Sequence, residues 1–317
     1  MKICFLAGAN SVHSHKWVKY FVENGHEVHW ISFASNTQGD IKKVYFYQIA
    51  SPFPFKFFQL RKIIQKIKPD IFHAHYAGVN GFLAALVGHH PFILTTWGSD
   101  ILIAGKSILK KFFVKYALEK ADLISCDAKH MKHAMVEMGV DEAKIKIIYF
   151  GVDVKRFSPA DNNKKIENKI ISLRSFEPIY NIETLIKAVP LVLKEIPDVK
   201  LVLAGKGSEE EKLKKMVKDL KVSEFVEFVG LISQNDLPRY LNESSVYVST
   251  SLSDAGLASS TAEAMACELP VIITDFADNK KWVEDGKSGF LFPMKDYKTL
   301  ADKIIYLLKN PGECKQM

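Results

Sequence analysis

The amino-acid sequence predicts an α/β protein made of two doubly wound domains, on three observations. Short apolar runs of strand length alternate with segments of helical spacing along nearly the whole chain. The alternation halts once, at a polar, aperiodic stretch over residues 158–169 (SPADNNKKIENK), and then restarts. The length of 317 residues is that of about two domains of ordinary size.

In chain order, residues 3–7 read as a fully buried strand, followed by a short loop with Ala9, Asn10 and Ser11 and a helix over 13–23 that Gly25 closes. Residues 28–33 and 44–47 are further strands. Over 55–67, Phe57, Leu60, Ile63, Ile64 and Ile67 recur at helical spacing before Pro69 ends the run. Strand 71–73, helix 79–87, strand 92–95, helix 109–119 and strand 123–125 follow. Asp127 is placed to cap a helix running to Met138, and residues 145–149 end the half. After the polar stretch the pattern runs strand 170–173, helix 182–194, strand 200–204, helix 208–220, strand 225–229, helix 235–241 and strand 246–249. Helix 260–267, strands 271–274 and 289–292 and a last helix over 296–308 complete it. Short strands separated by helices make parallel sheets covered on both faces. The domains are expected at residues 1–160 and 161–317, with the last helix in the second or packing back toward the first. Ligands of two such domains are expected in a cleft between facing sheet edges.

At 48% hydrophobic and 25% charged residues the chain is too apolar to be disordered, and no repeat period is visible. Apolar stretches such as 82–88 and 246–248 are too short to cross a bilayer. Lys2 is followed by only seven apolar or small residues before Asn10, which suits a first strand better than a secretory core, so a cytoplasmic protein is expected. Cys4, Cys126, Cys267 and Cys314 lack metal-ligand spacing, and three of them sit beside apolar stretches, as small buried hydrophobes do. The net charge of +7 is uneven: residues 1–165 hold 23 Lys or Arg against 13 Asp or Glu, and residues 166–317 hold 20 against 23.

Several loops carry chemistry. Gly205, Lys206 and Gly207 form a glycine-rich turn between a strand and a helix, where backbone N–H groups and Lys206 suit a phosphate, although a plain tight turn has the same pattern. It is neither a Walker A loop nor a dinucleotide fingerprint, and the loop over residues 8–12 lacks that fingerprint too, which disfavours an NAD-dependent enzyme. Arg174 follows the first strand of the second half, where its fork suits a diphosphate. Ser253, Asp254, Gly256, Ser259 and Ser260 lead into a helix carrying Glu263, and Ser260 with Glu263 also reads as a capping box. His73 and His75 follow a strand with no third ligand at zinc spacing, so no metal site is expected. Asp100 suits sugar hydroxyls, and Trp97 suits a sugar face or packing between domains.

Taken in order, these residues resemble the family 4 glycosyltransferases, which have the GT-B fold of two facing Rossmann-like domains. The resemblance rests on His73–Ala74–His75, Trp97–Gly98–Ser99–Asp100, Gly151–Val152–Asp153 with Phe157 and Pro159, and Arg174. It continues through Gly205–Lys206–Gly207, Phe228–Val229–Gly230, the stretch from Asp254 to Glu263, and Glu263–Ala264–Met265–Ala266–Cys267–Glu268–Leu269–Pro270–Val271. It closes on Val283–Glu284–Asp285–Gly286 and Gly289–Phe290–Leu291. It implies a retaining transfer of a sugar from a nucleoside diphosphate sugar to a glycan or lipid-linked acceptor, in polysaccharide or glycoconjugate synthesis, with no metal and no cofactor. Arg174 would contact the diphosphate and Glu263 the ribose. The loop from Asp254 through Ser259 and Ser260 would hold the donor sugar and phosphates, and Gly205 to Gly207 would line the nucleotide pocket. With Arg174, Asp254 and Asp100 are the catalytic candidates, and His75 and Trp97 belong to the acceptor or sugar side. Three positions depart from the family pattern. Tyr180 or Asn181 stands where a Lys is usual, Ala255 holds the usual acidic place nearest Asp254, and Trp97 stands where a His is common. A smaller departure is Glu268, where a Gly usually precedes Leu269–Pro270.

Two other classes share this architecture: a sugar-nucleotide epimerase, which would need an acid and a base such as Asp100, His73 or His75, and a non-catalytic protein of the same fold. No nucleic-acid motif accompanies the basic half. Residues 51–68 (SPFPFKFFQLRKIIQKIK) hold five basic and no acidic residues among Phe53, Phe55, Phe57 and Phe58. That pattern fits a sheet-covering helix or an interfacial helix on an anionic membrane surface, so peripheral attachment to the inner face of the membrane is expected alongside the cytoplasmic location.

Overall fold

The computed structural model describes every residue except 38, 103–107, 161–165, 255, 315 and 316. Ala255, expected at the usual acidic place, therefore lies outside the described residues. The chain packs as two compact units, Met1–Tyr149 and Phe150–Met317. The division precedes the polar stretch because residues 150–160 already belong to the second unit. Phe157 is buried in a second-unit core, and Asn242 ties down Ala160 N–H at 3.0 Å and Ser158 C=O at 3.0 Å.

The first unit runs β1 (Lys2–Leu6), α1 (Val12–Glu23), β2 (Glu27–Ser32), β3 (Val44–Gln48), α2 (Phe55–Ile67), β4 (Ile71–His75) and α3 (Val79–Val87). It continues with β5 (Phe92–Thr95), a single turn α4 (Ser99–Leu102), α5 (Ile108–Lys120), β6 (Leu123–Cys126), α6 (Lys129–Glu137) and β7 (Ile145–Ile147). Its strands form one parallel sheet in the order β3-β2-β1-β4-β5-β6-β7. The order reverses between β1 and β4, so the loops after those strands open a crevice at the carboxyl edge.

The second unit repeats the plan with β8 (Lys169–Ser172), α7 (Ile182–Glu195), β9 (Lys200–Leu203), α8 (Glu210–Asp219), β10 (Val226–Phe228) and α9 (Leu237–Asn242). Then come β11 (Val246–Ser249), α10 (Ser259–Ala266), β12 (Val271–Thr274), β13 (Phe290–Phe292), α11 (Tyr297–Lys309) and the short α12 (Pro311–Cys314). The parallel order is β10-β9-β8-β11-β12-β13, with the reversal between β8 and β11. The central strands carry apolar residues on both faces because both faces are covered: Ile170, Leu201, Val246, Val248 and Ile272 face one core, and Ile171, Val202, Tyr247, Val271 and Ile273 the other. α11 stays in its own unit, where Leu300, Ala301, Ile304 and Leu307 are buried in the same core as α7. Both units are thus Rossmann-like.

Two local expectations are corrected. Asp127 is not the N-cap residue of α6; that position is Ala128, with no side-chain bond, because the backbone is still extended at Ala128 (φ −149°, ψ 149°) and turns helical only at Lys129. The helix expected from residue 208 begins at Glu210, since the Ser208 N–H and hydroxyl are both held by the Glu177 carboxylate, at 3.0 and 2.6 Å.

Candidate functional site

Arg174 and Asp254 stand 80 residues apart, in the loops after β8 and β11. These are the two strands where the sheet order reverses, so topology alone brings their loops together. The second loop is then fixed by four bonds. Thr250 Oγ1 donates to Tyr180 O (2.9 Å), Leu252 N–H to Ile179 O (2.8 Å), Ser251 Oγ to Ser253 O (3.0 Å) and Thr274 Oγ1 to Ser251 O (2.7 Å). Arg174 Nη2 consequently donates to Asp254 Oδ1 in a nearly buried ion pair, and the guanidinium lies 4.3 Å from the centre of the Tyr180 ring. Burial works against the charge on Arg174, but Asp254, followed by Tyr247 and Tyr180, outweighs it and holds the guanidinium protonated above its ordinary range. Arg174 Nε is buried without a partner, an unspent donor beside a bound charge.

Tyr180 and Asn181, at the usual place of a Lys, do different work. Tyr180 supports the guanidinium face. Asn181 adopts a left-handed backbone (φ +49°) at the start of α7, where its side-chain amide donates to Thr184 Oγ1 at 2.7 Å.

α10 presents an uncapped N-terminus. Its cap position is Ala258, with no side-chain bond to the first turn. The capping box is therefore corrected: Ser259 and Ser260 lie inside the helix, and the Ser260 hydroxyl pairs with the buried Tyr247 hydroxyl at 2.8 Å instead of with the helix backbone. Thr261 Oγ1 donates to the same Tyr247 oxygen at 3.4 Å, and burial pushes that phenol upward so that it remains neutral. Glu263, 5% exposed, sits one turn further along the same helix. The free N–H groups of the first turn and the helix dipole make this end electropositive.

The glycine-rich turn turns out to be shaped by close packing against its own chain. A Cβ at Gly205 would lie 2.5 Å from Arg174 O, and one at Gly207 would lie 2.4 Å from Phe176 O. Phe176 N–H donates to Lys206 O and Glu209 N–H to Phe176 O, so the two loops are stitched together. Only glycine lets them approach so closely, and this keeps Arg174 and the turn in one loop cluster. The exposed N–H groups expected here for phosphate are partly spent, because Glu177 occupies Ser208. The Ser208 bonds hold the Glu177 carboxyl below its ordinary range. Lys206 remains exposed.

The carboxyl edge of the first unit holds Asp100, His75 and Trp97 together. Asp100 Oδ2 accepts the Ala77 N–H at 2.7 Å and Oδ1 the Trp97 N–H at 3.0 Å, which clamps the loops after β4 and β5. Burial raises its pKa despite those bonds. His73 shares a 2.7 Å bond with Thr95 Oγ1, and burial pushes its pKa down to about 3. His75 is buried with neither ring nitrogen partnered, and burial, then His73 and His13, pushes it well below its ordinary value. Its ring lies 5.4 Å from that of Trp97, which also lies 4.9 Å from His13. Both buried histidines are neutral near pH 7. Among the described residues no group of three or more His, Cys, Asp or Glu is placed to hold a metal ion.

Reading the sequence did not single out Tyr247, Glu177 or His13. Tyr247 is one apolar-looking residue in an apolar strand, and Glu177 gains its role from a residue 31 positions away, so no local signal marked either.

Comparison with known proteins bears on the family and the fold. The profile described as "Glycosyl transferases group 1" matches residues 153–317, and that described as "Glycosyl transferase 4-like" matches residues 2–128. The chain is 25% identical to the N-acetyl-alpha-D-glucosaminyl L-malate synthase of Bacillus anthracis, over 92% of this chain and 82% of that protein. It is 31% identical to an uncharacterized glycosyltransferase of Methanocaldococcus jannaschii, over 79% of this chain and 68% of that one. Among solved structures it resembles Anabaena HepE in complex with UDP-glucose, with a TM-score of 0.83 and 17% identity, covering all of this chain and 92% of that one. That likeness establishes the GT-B fold of two Rossmann-like domains. With a profile matching more than half its length, the chain belongs to the glycosyl transferases group 1 family.

Proposed function

We propose that the protein is a retaining, family 4 glycosyltransferase that moves a sugar from a nucleoside diphosphate sugar to a glycan or lipid-linked acceptor. The observation that carries this reading is the Arg174–Asp254 pair beside the uncapped start of α10, at the sheet reversal of the second unit. A departing diphosphate gains negative charge in the transition state, and fixed donors that meet it there lower the barrier more than they tighten ground-state binding. Arg174 supplies a protonated guanidinium with an unspent Nε–H, and α10 supplies backbone N–H groups. Asp254 holds the guanidinium in place before donor arrives, so the diphosphate competes with that carboxylate for it. Glu263 takes the ribose hydroxyls, and Trp97 with His75 forms the acceptor or sugar side. In the transfer, the bond from the anomeric carbon to the diphosphate oxygen breaks as the bond to the acceptor oxygen forms on the same face. The acceptor proton leaves with the diphosphate.

An epimerase is disfavoured at Asp100, whose two oxygens are both engaged by backbone N–H groups. The test is a titration with UDP-, GDP- and ADP-sugars. Glu263→Ala should weaken binding of the preferred donor by about 1.5–3 kcal/mol, the worth of a charged hydrogen bond. Unchanged donor binding would remove Glu263 from the site.

A further inference from the structure

We infer that the outer face of helices α2, α3 and α5 is a docking surface for an anionic lipid bilayer. The three helices form one layer on the first-unit sheet, with α3 touching both α2 and α5. α2 buries Leu60, Ile64 and Ile67, which leaves Phe55, Phe58, Lys62 and Lys66 on the opposite stripe. Phe55 and Phe58 are 63% and 60% exposed, and Phe53 just before the helix is 69% exposed. α5 buries Val114, Ala117 and Leu118 and turns out Phe112, 58% exposed, with Lys111 and Lys115 exposed beside it. Phe82 of α3 stacks on Phe113 at 4.2 Å, which locks α5 to α3. α3 itself contains no charged residue and leaves Leu86 and Val79 exposed.

Charge selects the occupant. The three helices carry eight basic residues (Lys56, Arg61, Lys62, Lys66, Lys110, Lys111, Lys115 and Lys120) against one acidic residue, Glu119. Glu119 already pairs with Lys115 at 3.7 Å, and among the described residues none of the four basic groups of α2 is in an ion pair. Like charges crowded on one helix repel, and an anionic surface relieves that repulsion. An uncharged middle helix flanked by exposed phenylalanines and basic rims matches the acyl boundary beneath lipid phosphates, with rings inserting and ammonium groups staying at headgroup level. A nucleic acid would gain nothing from the uncharged middle helix.

The experiment is co-sedimentation of the full chain with vesicles of equal parts phosphatidylcholine and phosphatidylglycerol, against pure phosphatidylcholine. The readout needs no turnover, so it stands or falls separately from the proposed transferase activity. Binding is expected at about 0.05 M salt and release at about 0.5 M, as screening shortens. Replacing Arg61, Lys62 and Lys66 with Gln should weaken vesicle binding about 100-fold, and Lys111→Gln with Lys115→Gln about 10-fold or more. Phe58→Ser with Phe112→Ser should lower binding while leaving the salt dependence intact. All these side chains are exposed, and an unchanged melting temperature checks the fold. Wild-type protein that ignores the anionic vesicles at low salt overturns the proposal. So does an α5 variant that binds like wild type, or a single-stranded oligonucleotide that displaces the vesicles.

Discussion

In the first unit the carboxyl edge around β4 and β5 carries rings: His75 at the end of β4 lies against Trp97, Trp97 lies against His13 of α1, and Asp100 of α4 spends both oxygens on backbone N–H groups. In the second unit the loops after β8 and β11 carry charges: the Arg174 guanidinium, the Asp254 carboxylate bound to it and, on the helix that follows, the nearly buried Glu263. Both edges occupy the same place in the same kind of sheet. The outer surfaces differ as well, since the first unit holds 19 Lys or Arg against 11 Asp or Glu and the second 24 against 25. One architecture thus offers a ring-lined edge and an ionic edge. A polyol is met by rings and hydrogen-bond acceptors, whereas a diphosphate needs a guanidinium and a helix end, and the proposed function accordingly gives one substrate half to each unit.

The largest expected effect breaks the ionic edge. Arg174→Ala should lower kcat/KM by about 100- to 1000-fold, the loss seen when one fixed donor to a developing anion is removed. Steady-state kinetics beside a donor titration checks it, and a fall confined to KM would mean that Arg174 binds the ground state only. Asp100→Ala should act on the other edge alone. It strands one buried and one half-buried N–H group and should cost about 2–3 kcal/mol of stability. A calorimetric scan should show this while donor affinity stays within experimental error of wild type.

Acidity sharpens the contrast further. His73 titrates near 3 in the folded chain and near 6.5 when unfolded. Between those values the unfolded state binds more protons. Stability is therefore fully present above about pH 6.5 and declines as pH falls toward 3. At pH 5 the His73 share of the loss should be about 2 kcal/mol, to which the depressed His75 adds, read as a falling melting temperature that His73→Gln makes shallower. An identical slope in the variant would place the titrating group elsewhere. The smallest expected effect is none at all: transfer should survive thorough chelation, because the ionic edge carries its own positive charge. Loss with EDTA that magnesium or manganese restores would reverse that reading.

Much of the fold was legible because its signals are local. Alternating strand and helix periods set the order of elements. The apolar stripe of Leu60, Ile64 and Ile67 marked the face α2 buries, and Arg174 was found from its place after a strand. The short α4 was missed, since four residues carry no period. The candidate site was legible as residues but less so as contacts. Ser260 with Glu263 reads locally as a capping box, yet the hydroxyl is taken by Tyr247 from the neighbouring strand. Gly205 and Gly207 read as phosphate loops, yet their missing side chains make room for the 174–177 backbone.

By itself, then, the sequence determined two parallel sheets, the residues at their carboxyl edges, and the basic aromatic run of α2, since these follow from backbone periodicity within a few residues. Only the tertiary structure decided that Arg174 meets Asp254, that Asp100 clamps Ala77 and Trp97, and that Glu177 holds Ser208. Such partners lie as many as 80 residues apart. Which of them meet depends on the order in which strands join the sheet, and that order is settled by burying both sheet faces, a property of the whole domain that no local pattern encodes.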